Sequence, residues 1–484
     1  MKALDRLLRR WQLLALARVA PKTLADTGAK RLLRQVRRVA RRVPAYGAIL
    51  RERQIAIERI RTPADVIRHC PILGKEDLFG RFPLTELCVD GNLGPLASVL
   101  TSSGHGNRFA FGLSTARQAR AATRAIDLGL EHAFQTDSNP TLLINALPMG
   151  VRFASSSVTI AETSVREDMA VALLREIAPH YAQSLLVTDP LFCKRLLEHA
   201  ADVGLDWSNL KVNLILGEET FGEHFRSYVA RGFGQDPQGW TRGFVGSSMG
   251  IGEIGLNLFF ETRETVRLRQ LAQARPEAMA EVIGRWPGRT PPLLFVHDPR
   301  RVFVEVQTPD PDGYGGLVLS TLDPSLMLPL LRYASGDRAR LLDTQAMRRA
   351  LYSGGFADLA LPTLPMIALA GRETDVLPDG RTLLDFKDAL YARPQVADQL
   401  SGAFRIEDEA LGHRIHLQTR PGWRGVEQDL VDQVAPAFPP PRAGASDQVQ
   451  IWDHDRFPYG RGLDYERKFT YYAPRETSPP RRPA

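Results

Sequence analysis

A run of hydroxyl-bearing and glycine residues, TSSGHGN, occupies positions 101–107 between two apolar strings. Small side chains let a ligand approach the main chain closely, and the N–H and O–H groups of such a loop are hydrogen-bond donors. These properties are typical of a loop that binds phosphate. It is not a Walker A loop, because no lysine follows the last glycine and the next residues, FAFGLS, alternate like a strand. We therefore predict a phosphate-binding loop in a β-hairpin, with an ordinary glycine-rich turn as the alternative.

Two further glycine-rich loops follow predicted strands. The first is GEET at 217–220, and the second is GSSMGIGEIG at 246–255. Ligands collect at the carboxyl ends of the strands in a parallel sheet, so both are candidate site loops. Three later segments complete an ordered series of motifs: RYASGDRARLL at 332–342, LAGRETDVLPDG at 369–380 and ERKFTYY at 466–472.

Strand and helix patterns alternate between residues 141 and 245. The strings TLLIN, SLLVT and VNLIL are typical of buried strands, and the strings between them have helical apolar spacing. This alternation predicts an α/β fold with a mostly parallel sheet covered by helices. Val-rich alternation after residue 255 predicts a β subdomain, and a weakly periodic C-terminal part begins near residue 371.

The order of these motifs resembles the adenylate-forming superfamily, and in particular its phenylacetate-CoA ligase-like branch. The resemblance covers most of the chain from about residue 62, and the order and spacing of the motifs are more specific than any single motif. It implies a large N-terminal adenylation domain (62–370), with parallel-rich sheets and a β subdomain. It also implies a small, mobile α+β C-terminal lid domain (371–484). A basic helical N-terminal arm (1–61), expected from charge and apolar spacing, precedes the region of the resemblance.

The resemblance implies a role for each motif in binding ATP. The hairpin loop would hold the β- and γ-phosphates through Thr101, Ser102, Ser103, Gly104 and Gly106, with Arg108 as the cation in place of the family's lysine. Gly217 and Glu218 would contact the adenine through their backbone groups. Asp337 would accept hydrogen bonds from the ribose hydroxyls, and Arg372 would lie near the ribose.

Three more residues are implied in metal binding, domain rotation and catalysis. Glu253 would help to hold Mg²⁺ near the α-phosphate, although a second alignment of the motif leaves no glutamate there. Asp375 would be the hinge about which the C-terminal domain turns. Lys468 would neutralise charge between the carboxylate and the α-phosphate, although an arginine replaces the glycine that precedes this lysine in the family. A solvated basic strand end is the alternative interpretation of Lys468.

The implied reaction has two steps and three cofactors, namely ATP, Mg²⁺ and coenzyme A. A carboxylic acid forms an acyl-adenylate with release of pyrophosphate, and the thiol of coenzyme A then displaces AMP. The expected acid is apolar or aromatic and would bind beside the adenine, near Leu147, Met149, Phe153 and Phe244. Two alternatives stay open: transfer to an amine, a hydroxyl or a carrier-protein thiol, and a degenerate homologue that binds a nucleotide or acyl ligand without turnover.

Composition is that of an ordinary globular protein of 484 residues, 44% of them apolar and 24% charged. Three distant cysteines, Cys70, Cys88 and Cys193, indicate neither a disulfide framework nor a zinc site, and a reducing, cytoplasmic location is expected. No apolar run approaches the ~20 residues of a membrane span. The sequence does not specify the oligomeric state.

The net charge of +7 is concentrated in the N-terminal arm, where residues 1–61 hold 17 lysines and arginines against 4 acidic residues. The string KRLLRQVRRVARRV at 30–43 predicts a basic amphipathic helix. A solvated arginine face on a helix packed against the body is the favoured interpretation. The alternative partners of this helix are an anionic membrane surface, RNA and an acidic carrier protein. Of these, nucleic acid is not expected, because no aromatic stacking platform accompanies the helix.

Overall fold

The computed structural model describes residues 2–101, 109–148, 151–152, 154–236, 243–460 and 469–474. The helices are α1 (Lys2–Ala17), α2 (Pro21–Arg42), α3 (Pro44–Glu52), α4 (Pro63–His69), α5 (Lys75–Leu78), α6 (Ala116–Phe134), α7 (Glu167–Glu176), α8 (Pro190–Asp202), α9 (Glu223–Gly232), α10 (Arg263–Ala274), α11 (Pro276–Ile283), α12 (Thr344–Ser353), α13 (Leu383–Ala389), α14 (Pro394–Ala397) and α15 (Glu427–Val434). The strands are β1 (Leu96–Thr101), β2 (Phe111–Thr115), β3 (Thr141–Asn145), β4 (Thr159–Glu162), β5 (Gln183–Thr188), β6 (Val212–Leu216), β7 (Val245–Ile251), β8 (Gly255–Phe260), β9 (Leu293–His297), β10 (Val302–Gln307), β11 (Gly315–Thr321), β12 (Tyr333–Leu342), β13 (Met366–Arg372), β14 (Leu400–Glu409), β15 (Gly412–Thr419), β16 (Gln448–Trp452) and β17 (Tyr472–Ala473).

A large mixed sheet forms the centre of the molecule, in the order β10-β11-β12-β13-β9-β8-β7-β6-β5-β3-β4. The pairings from β4 to β7 are parallel, and those from β7 to β10 are antiparallel. Every residue of β3 and β5 is buried, as expected for strands covered on both faces. The predicted α/β class is confirmed, and the strands expected to form a β subdomain continue the same sheet.

The change from parallel to antiparallel pairing occurs at β7. The string predicted as a loop at 246–255 is mostly part of this strand, and only residues 252–254 connect it to β8. β6 ends at Leu216, just before the GEET loop, and pairs in parallel with β7. The carboxyl ends of the two strands therefore lie at the same edge of the sheet, which brings the two glycine-rich loops close together.

The two strands of the hairpin predicted around residues 101–108 are present, one before and one after that loop. β1 and β2 pair antiparallel, with Thr101 opposite Phe111. A separate four-stranded sheet, in the order β16-β15-β14-β17, forms the centre of the C-terminal part.

The basic helix predicted at 30–43 is the second half of α2, which ends at Arg42. Its apolar stripe is buried: Leu32 and Val39 are both fully inaccessible to solvent. At Gly28 a β-carbon would lie 2.2 Å from the carbonyl oxygen of Pro299, so only glycine permits this close packing. The arm is thus packed against the body through α2, which confirms the favoured interpretation for this helix.

Candidate functional site

A cavity of about 930 Å³ lies at the carboxyl edge of the parallel strands. It is lined by seven of the residues singled out in the sequence, which come from five separate motifs: Thr101, Gly217, Glu218, Glu253, Asp337, Arg372 and Asp375. Residues that are more than 270 positions apart in the chain therefore meet in one place.

Six predicted site residues lie outside the described residues: Ser102, Ser103, Gly104, Gly106, Arg108 and Lys468. Their neighbours in the chain are described, however. Thr101, directly before the loop, and Phe469, directly after Lys468, both line the cavity. Met149 and Phe153, expected near the acid, also lie outside the described residues.

A close backbone contact holds the hairpin against the loop that carries Glu253. A β-carbon at Gly112 in β2 would lie 2.2 Å from the carbonyl oxygen of Gly252, well inside van der Waals contact. Glycine is therefore required at this position for the two segments of the chain to approach each other. The contact brings the hairpin to the side of the cavity where Glu253 lies.

Glu253 is oriented by a tyrosine from a different motif. The hydroxyl of Tyr333, the first residue of β12, donates a hydrogen bond of 2.5 Å to Oε1 of Glu253. Tyr333 is almost completely buried, and burial together with the neighbouring carboxylate raises the pKa of its hydroxyl, which keeps it a donor. Backbone bonds between Leu73 and residues 332 and 334 hold the start of β12 in place.

Of the carboxylates that line the cavity, Glu253 is the one expected to contact a magnesium ion. Among the described residues, no group of three or more His, Cys, Asp or Glu side chains has the arrangement of a metal site. Mg²⁺ commonly binds through one or two protein carboxylates together with waters and substrate phosphates, so Glu253 fits such an ion only alongside a phosphate ligand.

The two residues expected near a ribose are cross-strand neighbours. Asp337 of β12 stands opposite Arg372 of β13, and Nε of Arg372 lies 3.9 Å from Oδ1 of Asp337. Gly336 has a φ of +80°, so the irregularity in β12 just before Asp337 uses the left-handed conformation that glycine adopts readily. Oδ2 of Asp375 accepts a 3.0 Å hydrogen bond from the backbone N–H of Arg372, which fixes the following turn.

One end of the cavity is an apolar chamber between α6 and the parallel strands. Leu147 and Phe244, the two described residues expected beside an acid substrate, line this end. The other apolar residues that line the chamber are Ile126, Leu130, Ala133, Phe134, Leu143, Val151, Leu185, Val187, Ile215, Leu256 and Phe260. The same cavity therefore has a polar region at the loops and an apolar region under α6.

No protein-family model and no curated protein sequence matches the chain. Among solved structures, it is similar to 2-hydroxyisobutyryl-CoA ligase in the postadenylation state in complex with R3-HIB-AMP. The TM-score is 0.65 at 12% identity, and the match covers 94% of this chain and 90% of that chain. The same ligase in complex with 2-HIB-AMP and CoA in the thioesterification state gives a TM-score of 0.52 at 14% identity, over 94% and 89% of the two chains.

The chain has the fold of the adenylate-forming acyl-CoA ligases. The TM-score is higher for the postadenylation structure of that ligase than for its thioesterification structure.

Glu219 joins the sheet edge of the ligase fold to the C-terminal part. Its Oε2 accepts hydrogen bonds from Nζ of Lys387 at 2.7 Å and from the hydroxyl of Tyr471 at 2.9 Å. The Lys387 ammonium also lies 3.9 Å from the centre of the Tyr471 ring, a favourable cation–π distance. The preceding residue, Glu218, has a φ of +68°, which is uncommon for a residue other than glycine.

Sequence reasoning missed several residues of the ligase-fold cavity. Lys75 and Lys387 both line it, yet neither was assigned a role in the site from the sequence. α6 was also missed, because its alanine- and arginine-rich sequence has no strong apolar run.

Proposed function

We propose that this protein activates a carboxylic acid with ATP, forming an acyl-adenylate and pyrophosphate, and then transfers the acyl group to coenzyme A with release of AMP. The observation that carries the proposal is the combination of two regions in one cavity. The loops with Thr101, Gly217 and Asp337 supply polar groups suited to a nucleotide, and the apolar chamber opens beside them. The neighbouring structures, with 2-HIB-AMP and CoA bound, support the same reaction.

In the first step, a carboxylate oxygen attacks the α-phosphorus and the bond to pyrophosphate breaks. Negative charge builds up on the phosphoryl oxygens, so fixed donors and cations around the phosphorus lower the barrier. Mg²⁺, when bound, would neutralise part of that charge; Glu253 would contribute a carboxylate ligand to it, and the hydrogen bond from Tyr333 fixes the orientation of that carboxylate. We assign Lys468 as the cation that acts between the carboxylate and the α-phosphate, on the resemblance of its segment to the family motif; the next residue, Phe469, lines the cavity.

In the second step, the thiolate sulfur of coenzyme A attacks the acyl carbonyl carbon, and AMP leaves with the electrons of the broken mixed-anhydride bond. Splitting the condensation in this way lets one site stabilise the phosphoryl transition state and then the acyl transfer. Rotation of the C-terminal part about Asp375 would replace the groups that serve the phosphoryl step by the groups that serve the acyl transfer.

The apolar chamber favours an apolar or aromatic acid, which agrees with membership of the phenylacetate-CoA ligase-like branch. Burying an aliphatic or aromatic side chain there gains about 1.5–3 kcal/mol per side-chain-sized group.

The domain boundaries after residues 61 and 370 remain predictions, and so does the cytoplasmic location. Transfer to an acidic carrier protein stays an alternative for the second step.

The deciding experiment is acid-dependent exchange of pyrophosphate into ATP, measured without coenzyme A over a set of aliphatic and aromatic acids. AMP release is then measured with and without coenzyme A. We expect exchange with at least one apolar acid, and AMP release that requires the thiol. Lys468→Ala should lose exchange by about 100-fold or more, whereas Lys211→Ala, an exposed lysine outside the cavity, should not.

Other outcomes separate the alternatives. Exchange followed by AMP release with an amine and without coenzyme A would replace the thiol by a different acceptor. ATP binding by calorimetry with no exchange for any acid would indicate a degenerate homologue. No binding of ATP at all would refute the proposal.

A further inference from the structure

The first helix, α1, presents an apolar stripe to solvent. Leu4, Leu7, Leu8, Trp11 and Leu14 are spaced to share one face, and 49–67% of each residue is exposed. The apolar stripe of a surface helix normally packs against the core, as it does in α2. Other strongly exposed apolar residues, such as Tyr352 and Leu411, occur singly, and single exposed residues are normal on a protein surface.

The opposite face of α1 is fixed to the body by charge. Nε of Arg9 donates a 3.1 Å hydrogen bond to Oδ2 of Asp137, and Nη1 of Arg9 lies 3.9 Å from Oδ2 of Asp127. Only 11% of the Arg9 side chain is exposed, so the cation is directed inward. The ion pairs therefore hold α1 with the residues of the apolar stripe, such as Leu7 and Trp11, directed away from the protein.

Cations border the apolar stripe. Arg6, Arg10 and Arg18 are exposed, and Lys22 follows at the start of α2. The arm as a whole carries +13, whereas the rest of the chain carries −6. A helix with an outward apolar face, a tryptophan and flanking cations has the chemistry of an element that lies in the headgroup region of an anionic bilayer.

We propose that α1 docks the protein on an anionic lipid surface, with Leu7, Trp11 and their neighbours inserted among the acyl chains. A second copy of the chain fits less well, because a face-to-face dimer would bring two strongly basic arms together. No helix among the described residues is long and apolar enough to cross a membrane. The helix therefore lies along the surface instead of spanning the bilayer.

The position of α1 relates the docking face to the cavity. α1 packs on α6, and Ile126, Leu130 and Ala133 of α6 line the apolar chamber. α6 thus lies between the chamber and α1, which carries the lipid-facing stripe on its outer face. If the proposed function is correct, this arrangement suits an acid that is dissolved in or released from the membrane. Docking itself does not depend on that reaction.

The test is co-sedimentation of the full chain with large vesicles of phosphatidylcholine, with and without about one third phosphatidylglycerol. We expect binding to the anionic vesicles, weaker binding to the neutral ones, and a loss of affinity at high salt because exposed charges are screened. The double variant Leu7→Glu/Trp11→Glu should bind at least about tenfold more weakly. Its matched control is Tyr352→Glu/Leu411→Glu, which changes two equally exposed apolar residues elsewhere and should bind like the wild type.

Three results would overturn the proposal. The first is the absence of sedimentation with either vesicle, and the second is equal sedimentation of the double variant and the wild type. The third is a dimer in lipid-free solution that the double variant abolishes, because the stripe would then belong to a second copy. Circular dichroism and ATP binding of each variant are measured in parallel, so that misfolding and failure of the proposed function are both distinguished from failure to dock.

Discussion

Tyr333 donates a hydrogen bond of 2.5 Å to the carboxylate of Glu253, and this bond joins two motifs that lie 80 residues apart in the chain. The first motif supplies the only carboxylate expected to contact a metal, and the second begins the strand that carries Asp337. The orientation of the proposed magnesium ligand therefore depends on the position of β12.

Replacing Tyr333 by phenylalanine removes this bond and leaves the ring in place. Hydrogen bonds to charged groups contribute about 1.5–3 kcal/mol, so we expect kcat/KM for MgATP to fall about 10- to 100-fold, with a higher Mg²⁺ requirement. Tyr314→Phe is the matched control, because Tyr314 is equally buried and donates to the Ile283 carbonyl away from the cavity. An unchanged Mg²⁺ dependence in Tyr333→Phe would contradict the assigned role.

Gly112→Ala should separate the hairpin from the Glu253 loop. The added methyl group would lie 2.2 Å from the Gly252 carbonyl oxygen, so one of the two segments must move. Such overpacking costs about 1–3 kcal/mol, and we expect KM for ATP to rise about tenfold or more. Ser114→Ala, in the same strand, tests whether any change in β2 has this effect. Equal kinetics for both variants would show that the close contact is unimportant for binding ATP.

The sequence predicted the polar half of the cavity well, and the physical reason is local. Gly217 follows β6, a strand with a clear apolar pattern, and Glu253 follows β7, which pairs in parallel with β6, so the carboxyl ends of both strands lie at one edge. Asp337 and Arg372 lie on predicted segments as well, but their cross-strand register could not be derived from the pattern alone.

The apolar part of the cavity and the outward-facing stripe of α1 could not be predicted from a local pattern in the same way. Leu130 reaches the chamber because α6 packs across the sheet, a long-range contact without a local pattern. α1 and α2 both carry apolar stripes, yet Leu32 is buried and Leu7 is exposed. Periodicity identifies a face of a helix, but only tertiary packing decides whether that face meets the core or the solvent.

Leu130→Trp should reduce the size of acid that the enzyme accepts. Leu130 is buried and lines the apolar chamber, so the larger ring would fill part of the volume available to an acyl group. We expect pyrophosphate exchange with the largest accepted acid to fall at least about tenfold more than exchange with the smallest. Ala122→Trp, at an exposed position of the same helix, is the control and should change neither rate. Parallel losses for all acids would indicate a damaged fold and not a smaller chamber.

Glu219→Gln should weaken the link between the sheet edge and the C-terminal part. The variant leaves the Lys387 ammonium without its 2.7 Å charge partner, although both side chains remain mostly buried. Breaking such a pair costs about 3 kcal/mol. We expect pyrophosphate exchange to fall more than AMP release in the presence of coenzyme A, because the contact holds Lys387 and Tyr471 of the C-terminal part at the cavity in this structure.

The matched control for Glu219→Gln is Glu198→Gln. Glu198 pairs with the buried Lys194 at 2.8 Å within α8 and does not line the cavity. This variant should lower stability without changing the ratio of the two rates. A shifted ratio in both variants would trace the effect to stability alone.

Asp189→Asn should stabilise the protein increasingly as the pH rises. Asp189 caps α8 by accepting a 3.0 Å bond from the backbone N–H of Phe192, and its other carboxylate oxygen has no hydrogen-bond partner among the described residues. Burial is the main cause that raises the pKa of this carboxyl to about 7, and the negative charge of Glu219 adds to it.

The sign of the effect follows from proton binding in the two states. Between about pH 4 and pH 7, the carboxyl is protonated in the folded chain and ionised in the unfolded chain, so the free energy of unfolding falls as pH rises. Asparagine keeps the cap but does not ionise. We therefore expect the difference in unfolding free energy between Asp189→Asn and the wild type to grow from near zero at pH 4 to on the order of 4 kcal/mol at pH 8. Urea unfolding across this range measures it, and a constant difference between the two proteins would show that Asp189 ionises normally in the fold.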